Sequence, residues 1–280
     1  MIMLIRNLTV QDTGNLLLAI NGAFADYVVP YQLNTDQLQL KMASEHIQLE
    51  LSAGVFEQNR MVATMMHGLR AINGSKIVYN AGTGVLPEFR GQGLVGKMYE
   101  YLLPLMKQQQ VDEMKLEVIE RNQSAIRAYE KNEFMICRKF LCFAGEIKTD
   151  DHSKVADIRP LKDYSWTLLQ SFWDIEPSWQ NAHQSIEIIQ PKALGAYIDD
   201  VLVGYVIFNP GNNRVYQLAV SKDHRRKGIA TQLFAEMRQQ MPQAKAQMNN
   251  VDEVGEELSW FLKKQGLVNF INQFEMKRVI

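Results

Sequence analysis

The sequence has almost no net charge: 30 Lys and Arg stand against 31 Asp and Glu, leaving −1 over 280 residues. A chain so balanced sets up no one-signed field, which argues against a general nucleic-acid or membrane-surface binder. It has only two cysteines, Cys137 and Cys142. One pair makes no disulfide framework, and no Cys/His spacing matches a zinc site. Both are expected to be buried thiols in a reducing compartment. No apolar run approaches the roughly 18 residues of a membrane span. The apolar run Leu16 to Ile20 near the start is too short for the core of a signal peptide. The protein is therefore expected to be cytoplasmic, with no metal, no membrane partner and no nucleic-acid partner.

What is present is hydrophobic residue enough, 46% of the chain, for more than one core. At about 100–200 residues per domain, this length predicts two domains. An internal echo supports that reading. Ile5-Arg6-Asn7-Leu8 is repeated as Ile158-Arg159-Pro160-Leu161, each opening a short strand pattern ahead of a helix pattern. After the first, Thr9-x-x-Asp12 reads as a capping box. The polar, aperiodic segment 146–157 reads as a linker between domains at 1–145 and 158–280.

Each half then gives the same order of elements. Segments 52–58 and 61–70 read as a hairpin, followed by a third strand over 76–85; segments 193–199, 202–209 and 215–220 repeat this. A helix pattern follows in both, with Leu94, Met98, Leu102 and Leu105 in the first and Ile229, Leu233, Met237 and Met241 in the second. Pro104 is expected to kink the first helix, and Pro242 to end the second. A strand, a helix and final strands complete each half. The predicted class is α/β, a mixed α+β sheet drawn twice.

The junction between third strand and helix carries the chemistry. It reads Val85-Leu86-Pro87-Glu88-Phe89-Arg90-Gly91-Gln92-Gly93-Leu94-Val95-Gly96 in the first half. The second half has Val220-Ser221-Lys222-Asp223-His224-Arg225-Arg226-Lys227-Gly228-Ile229-Ala230. Unsatisfied N–H groups and a positive dipole at a helix start bind anions, glycine lets a phosphate come close, and flanking Arg and Lys add charge. Gly91-x-Gly93-x-x-Gly96 also fits the dinucleotide fingerprint. That motif should follow its strand directly in a parallel βαβ unit, whereas Pro87 to Phe89 intervene and the preceding strands form a meander. The two halves share instead Arg90-x-x-Gly93 and Arg225-x-x-Gly228.

These loops, together with Leu116-Glu117-Val118 and Asn122-x-x-Ala125-x-x-x-Tyr129-x-x-x-x-Phe134, resemble the GCN5-related N-acetyltransferase (GNAT) superfamily over nearly the whole chain. The resemblance implies two tandem acyl-CoA N-acyltransferase domains. It implies a bulge near Gly82-Thr83-Gly84 and two parallel strands splayed beyond it. Acetyl-CoA would be the cosubstrate, its pantetheine paired with the strand ending at Val85. Its pyrophosphate would rest on Arg90, Gly91, Gln92, Gly93, Leu94, Val95 and Gly96, with Asn122 alongside. Arg225, Arg226, Lys227, Gly228, Ile229 and Ala230 are the counterparts. An amine would attack the thioester directly, and Tyr129 would serve the departing thiolate as general acid. The acceptor would be a small-molecule or protein amine, and a homodimer is a further option.

Val95 departs from the family's Gly or Ala and is expected to crowd the pyrophosphate. Glu133 replaces the usual Gly before Phe134, and Leu262 occupies the position of Tyr129 in the second half. The first half is thus expected to be catalytic and the second degenerate. Plainer readings exist: Asn122 as a helix cap, Tyr129 as a core tyrosine, Glu117 and His67 as structural residues rather than bases, and Trp166, Phe172, Trp173 and Trp179 as packing or as cleft wall. A non-catalytic acyl-CoA or metabolite-binding module, and a transferase of aminoacyl or longer acyl groups, are the alternative functions.

Overall fold

The computed structural model describes residues 3–29, 31–148 and 154–280. The expected linker at 146–157 therefore lies partly outside the described residues. The chain forms two compact units, one of residues 1–137 with 274–280 and one of 138–273.

The first unit opens with β1 (Met3–Asn7). A single 3-10 turn leads into α1 (Thr13–Ala23), and α2 (Thr35–Ser44) follows. The turn is tied by Asp12, whose carboxylate accepts the Thr9 N–H at 2.8 Å and both terminal nitrogens of Arg6 at 2.7 Å. Next come β2 (Ala53–Glu57), β3 (Arg60–Ile72) and β4 (Ser75–Val85) as an antiparallel meander. Then α3 (Leu94–Gln108) returns the chain to β5 (Glu113–Ile119), which lies parallel to β4. α4 (Gln123–Glu130) and the first residues of β6 (Met135–Glu146) close this run. The first sheet has the order β1-β2-β3-β4-β5, and the chain's last strand adds its end, 274–279, beside β5. α3 continues through Pro104, and its Met98, Tyr99, Leu102 and Met106 are fully buried in the core over this sheet.

The second unit repeats the plan. β7 (Asp157–Pro160) is followed by the short α5 (Trp166–Gln170) and α6 (His183–Ile189). The meander is β8 (Lys192–Ile198), β9 (Val201–Asn209) and β10 (Arg214–Val220). α7 (Ile229–Gln240) leads to β11 (Lys245–Asp252), parallel to β10, and α8 (Glu256–Lys264) precedes β12 (Val268–Val279). The sheet order is β6-β11-β10-β9-β8-β7. Ile229, Leu233, Phe234 and Met237 fasten α7 to one face, while Leu169, Phe172 and Ile186 join Tyr205 of β9 in a second cluster. The duplication reaches single contacts. Arg6 lies over Phe56 and Arg159 over Tyr197, each at 3.9 Å from the ring centre.

The thiols correct the reading of two buried cysteines. Cys142 is buried and Cys137 is exposed. An odd separation along one strand puts the two side chains on opposite faces.

Candidate functional site

Both strand-to-helix loops adopt one backbone. After β4 and β10, single 3-10 turns at Pro87–Phe89 and Lys222–His224 lift the chain off the sheet. Left-handed residues then follow at Gly91 and Gly93 (φ 76° and 72°) and at Arg226 and Gly228 (φ 61° and 88°). The first helical bonds close from Lys97 N–H to the Gly93 carbonyl at 3.1 Å and from Gln232 N–H to the Gly228 carbonyl at 3.0 Å. The N–H groups of Leu94, Val95 and Gly96, and of Ile229, Ala230 and Thr231, precede those bonds. They form the donor end of each helix. A Cβ on Gly91, Gly93 or Gly96 would meet nothing within 4 Å, so the face of the first loop is open. Val95 packs against the core of its unit, which turns it away from the crowding role expected for it.

The signature arginines are clamps. Arg90 Nε reaches the Val85 carbonyl at 3.3 Å, and its terminal nitrogens reach the Ala23 carbonyl at 2.9 Å and both Asp26 oxygens at 2.7 Å. Arg225 does the same with the carbonyls of Val220 and Phe172 at 3.1 and 3.0 Å and with Asp174 at 2.7 Å. Their charge was expected to face the phosphate. Instead each guanidinium pins the loop to the C-terminal end of α1 or α5 and is matched by a carboxylate. Lys227 likewise donates to the Asp223 carbonyl at 2.9 Å. The anion-binding capacity of the loops rests on backbone dipoles and on whatever cations remain unmatched.

Below each loop the parallel strands part. β4 and β5 are in register only from Ile77/Glu113 to Asn80/Leu116, and β10 and β11 only at Arg214/Gln247 and Val215/Met248. The cause is a bulge. Ala81 is the extra residue of β4 against Met66 and His67 of β3, and Tyr216 is the extra residue of β10. The first bulge lies one residue before the expected Gly82-Thr83-Gly84. The Asn80 side chain holds it there, accepting the Gly82 N–H at 3.1 Å and donating to Thr83 Oγ1 at 2.7 Å. Beyond each bulge the strand stays paired on one edge and is free on the other.

Tyr129 stands beside this opening in the first unit. It is 8% exposed, its ring packs on Phe134 with centroids 5.9 Å apart, and its hydroxyl hydrogen-bonds Thr83. Burial pushes its pKa up to about 12, with the Thr83 bond acting in the opposite direction. Asn122 caps α4 by accepting the Ala125 N–H at 3.1 Å, and its side chain also bonds the Tyr27 hydroxyl. The plainer reading of Asn122 as the helix cap is thus met. Glu133 adopts the left-handed conformation that glycine would take, at φ 63°, and pairs with Arg278 at 2.6 Å.

Where the first unit has Asn122, the second has Gly255 at the helix start, and where the first has Tyr129 the second has Leu262, fully buried in the core. Beside Gly255 the second unit has a cavity of about 740 Å³. Its walls run from Arg225, Arg226 and Gly228 past the parted ends of β10 and β11 to α8. Of the aromatic group, Phe172 and Trp173 line it, Trp179 is buried, and Trp166 packs on Tyr164 and His183. The cavity also exposes a polar chain that sequence pattern alone did not reveal. Trp173 Nε1 donates to the Tyr205 hydroxyl at 2.5 Å, which donates to Gln217 Oε1 at 2.7 Å, and Gln217 Nε2 donates to the Asn181 carbonyl at 2.7 Å. Burial raises the Tyr205 pKa. These residues come from four separate segments, so no local spacing announces them.

His67 and Glu117 take the plainer roles. His67 is fully buried, with Nδ1 at 2.8 Å from the Leu51 carbonyl, and burial pushes its pKa down to about 4. It stays neutral at neutral pH. Glu117, just past the last paired residue of β5, is bonded to the Tyr79 hydroxyl and lies within the field of Lys41. Among the described residues, no group of three His, Cys, Asp or Glu is placed to hold a metal ion. No helix among them is long and apolar enough to cross a membrane.

A bulged strand parting from its parallel neighbour under an N–H-rich helix start, drawn twice, defines an acyltransferase-type fold in tandem. The model of the acetyltransferase (GNAT) family matches residues 22–134 and 158–254, and the chain belongs to that family. Among solved structures it is similar to a GCN5-related N-acetyltransferase from Sphaerobacter thermophilus, at 14% identity and TM-score 0.73, covering 99% of this chain and 95% of that one. It is also similar to a tandem GNAT protein from the clavulanic acid biosynthesis pathway, at 12% identity and TM-score 0.75, covering 99% and 98%. A putative acetyltransferase from Pyrococcus horikoshii gives 13% identity and TM-score 0.69, covering 99% and 89%. At such identities the likeness speaks for the fold. No curated protein sequence matches this one.

Proposed function

We propose that the protein is a cytoplasmic N-acetyltransferase that moves an acetyl group from acetyl-CoA to an amine, with turnover in the first unit. The observation that carries this reading is the parting of β4 from β5 beyond Ala81, directly beneath the open N–H groups of Leu94 to Gly96. The free edge of β4 over Gly82 to Val85 offers backbone partners to the two amides of a pantetheine arm. The loop then takes the pyrophosphate. A neutral amine attacks the thioester carbon, a C–N bond forms, and the C–S bond breaks. The proton lost by the amine goes to solvent. A backbone N–H polarises the carbonyl while negative charge collects on its oxygen. Tyr129 donates a hydrogen bond to the departing thiolate.

The second unit is read as a donor-binding copy without turnover of its own, favoured by the cavity beside Gly255 and by Leu262 in place of a hydroxyl. Calorimetry with acetyl-CoA, followed by a thiol-release assay over a panel of small amines and peptide N-termini, tests both parts. Two unequal sites and amine-dependent thiol release are expected. Absence of binding at millimolar acetyl-CoA removes the donor assignment, and two equal sites remove the division between units.

A further inference from the structure

Beside the loop of the second unit lies an arrangement that the first lacks. Trp260 of α8 is 53% exposed, an unusual place for the largest apolar ring on a helix that buries Ser259 and Leu262. Two cations flank it, Arg226 with Cζ 5.3 Å and Lys264 with Nζ 5.2 Å from the ring centroid. Arg225 is neutralised by Asp174 and Lys227 is tied to the Asp223 carbonyl. Arg226 and Lys264, by contrast, have no hydrogen-bond or carboxylate partner among the described residues. Arg226 also sits in the left-handed region at φ 61°, at the loop position where the first unit has Gly91. An L side chain is strained there. Trp260, Arg226 and Lys264 all line the 740 Å³ cavity, at the end formed by the loop and α8. In the first unit the matching residues are Gly91, Arg127 and Lys131, two charges with no ring.

We propose that Trp260, Arg226 and Lys264 seat a 3′-phosphorylated adenosine. The second unit would then select a nucleotide-bearing thioester over the same pantetheine arm carried without a nucleotide. This rests on the donor reading above and adds to it the end of the donor that is recognised. A purine has a π-face for the exposed indole, a contact of general use in nucleotide binding. The guanidinium offers a fork for phosphate oxygens, and the ammonium a compact charge on a mobile stem. No carboxylate among the described residues holds either charge, so both can turn from the ring to the phosphate as the purine takes the ring face. The loop N–H groups of Ile229 to Thr231 take the pyrophosphate between the adenosine and the pantetheine.

The test uses the full chain and three probes: CoA, 3′-dephospho-CoA and 4′-phosphopantetheine, each followed by calorimetry and by tryptophan emission. The expected order of affinity is CoA, then dephospho-CoA, then phosphopantetheine, with CoA quenching emission. Trp260→Ala should weaken CoA binding about ten-fold, abolish the quench, and leave phosphopantetheine binding unchanged. Arg226→Gly restores the residue of the first loop and relieves the left-handed strain, so it keeps the fold. It should weaken CoA more than dephospho-CoA. Equal binding of CoA and phosphopantetheine by the unaltered protein overturns the proposal, as does unchanged CoA affinity in both variants. Failure of the unaltered protein to bind CoA at all overturns the donor reading instead.

Discussion

Replacing Tyr129 by Phe removes one oxygen and leaves the ring against Phe134. The stability cost is one hydrogen bond to Thr83, about 1 kcal/mol. The catalytic cost is larger. A hydroxyl serving a leaving group contributes roughly 10²–10⁴-fold. The raised pKa argues for one kind of service. Full proton transfer from a phenol near 12 to a thiolate whose thiol titrates near about 8.5 runs uphill by about 5 kcal/mol. On the proposed mechanism Tyr129 would therefore donate a hydrogen bond to developing charge and keep its proton. Two results follow for kcat measured by thiol release from pH 6 to 9. The Tyr129→Phe rate should fall by that factor with acetyl-CoA affinity little changed, the pattern of a lost transition-state interaction. The ratio of the two rates should also be flat with pH, because the phenol stays protonated throughout. A wild-type rate in the variant, or a basic limb near pH 8 present in the parent and absent from the variant, refutes the assignment.

His67 makes the first unit sensitive to mild acid. Its folded pKa of about 4 lies below the roughly 6.5 of an unfolded chain, so the unfolded state takes up the proton first. Its contribution is intact above about pH 6.5 and is lost as pH falls. Between pH 7.5 and 5 the loss is about 2 kcal/mol, and His67→Gln should flatten that part of a urea-denaturation series; equal slopes would show that His67 is not the group responsible. Gly96 has an ordinary helical conformation and open space where a Cβ would go. Gly96→Ala should therefore raise stability by about 0.5–1 kcal/mol while weakening acetyl-CoA, since the methyl enters the face assigned to the pyrophosphate. A gain in melting temperature with unchanged affinity in calorimetry would move the donor away from this loop.

The fold was readable because the signals were local and were written twice. The period change after Val85 and after Val220, and the two Arg-x-x-Gly turns, marked the same strand-to-helix step that the structure shows. The bulge was displaced by one residue because its position depends on the side chain of Asn80, not on the glycines that follow. The side-chain partners of Arg90 and Arg225 are not legible in the sequence for a similar reason. Their partners Asp26 and Asp174 lie 64 and 51 positions away, and no motif records a carboxylate at that distance. The Trp173–Tyr205–Gln217–Asn181 chain was invisible because two strands and two loop segments far apart in sequence meet to form it. Trp260 could have been noticed. It sits on the polar side of a helix pattern, four residues before Lys264, where an indole is not needed for packing.

The asymmetry between Tyr129 and Leu262 is deeper than one side chain. In the β3–β4 and β9–β10 registers, Thr83 and Leu218 hold equivalent places. Tyr129 thus has a hydroxyl partner across its cleft, and a tyrosine at 262 would face a leucine. Leu262 is also fully buried, packed in the core with Phe234, Leu233 and Leu267. Leu262→Tyr should cost about 1–3 kcal/mol for overpacking and a similar amount for an unsatisfied buried hydroxyl. It should add no thiol-release activity in a Tyr129→Phe background. Adding Leu218→Thr supplies the partner and should recover part of the hydroxyl cost, but not the packing cost, so the double variant stays less stable than the parent. Denaturation curves and the release assay on the single and double variants check this. Full activity restored by Leu262→Tyr alone would show that the second cleft needs only a hydroxyl to turn over, and that its walls are already those of an active site.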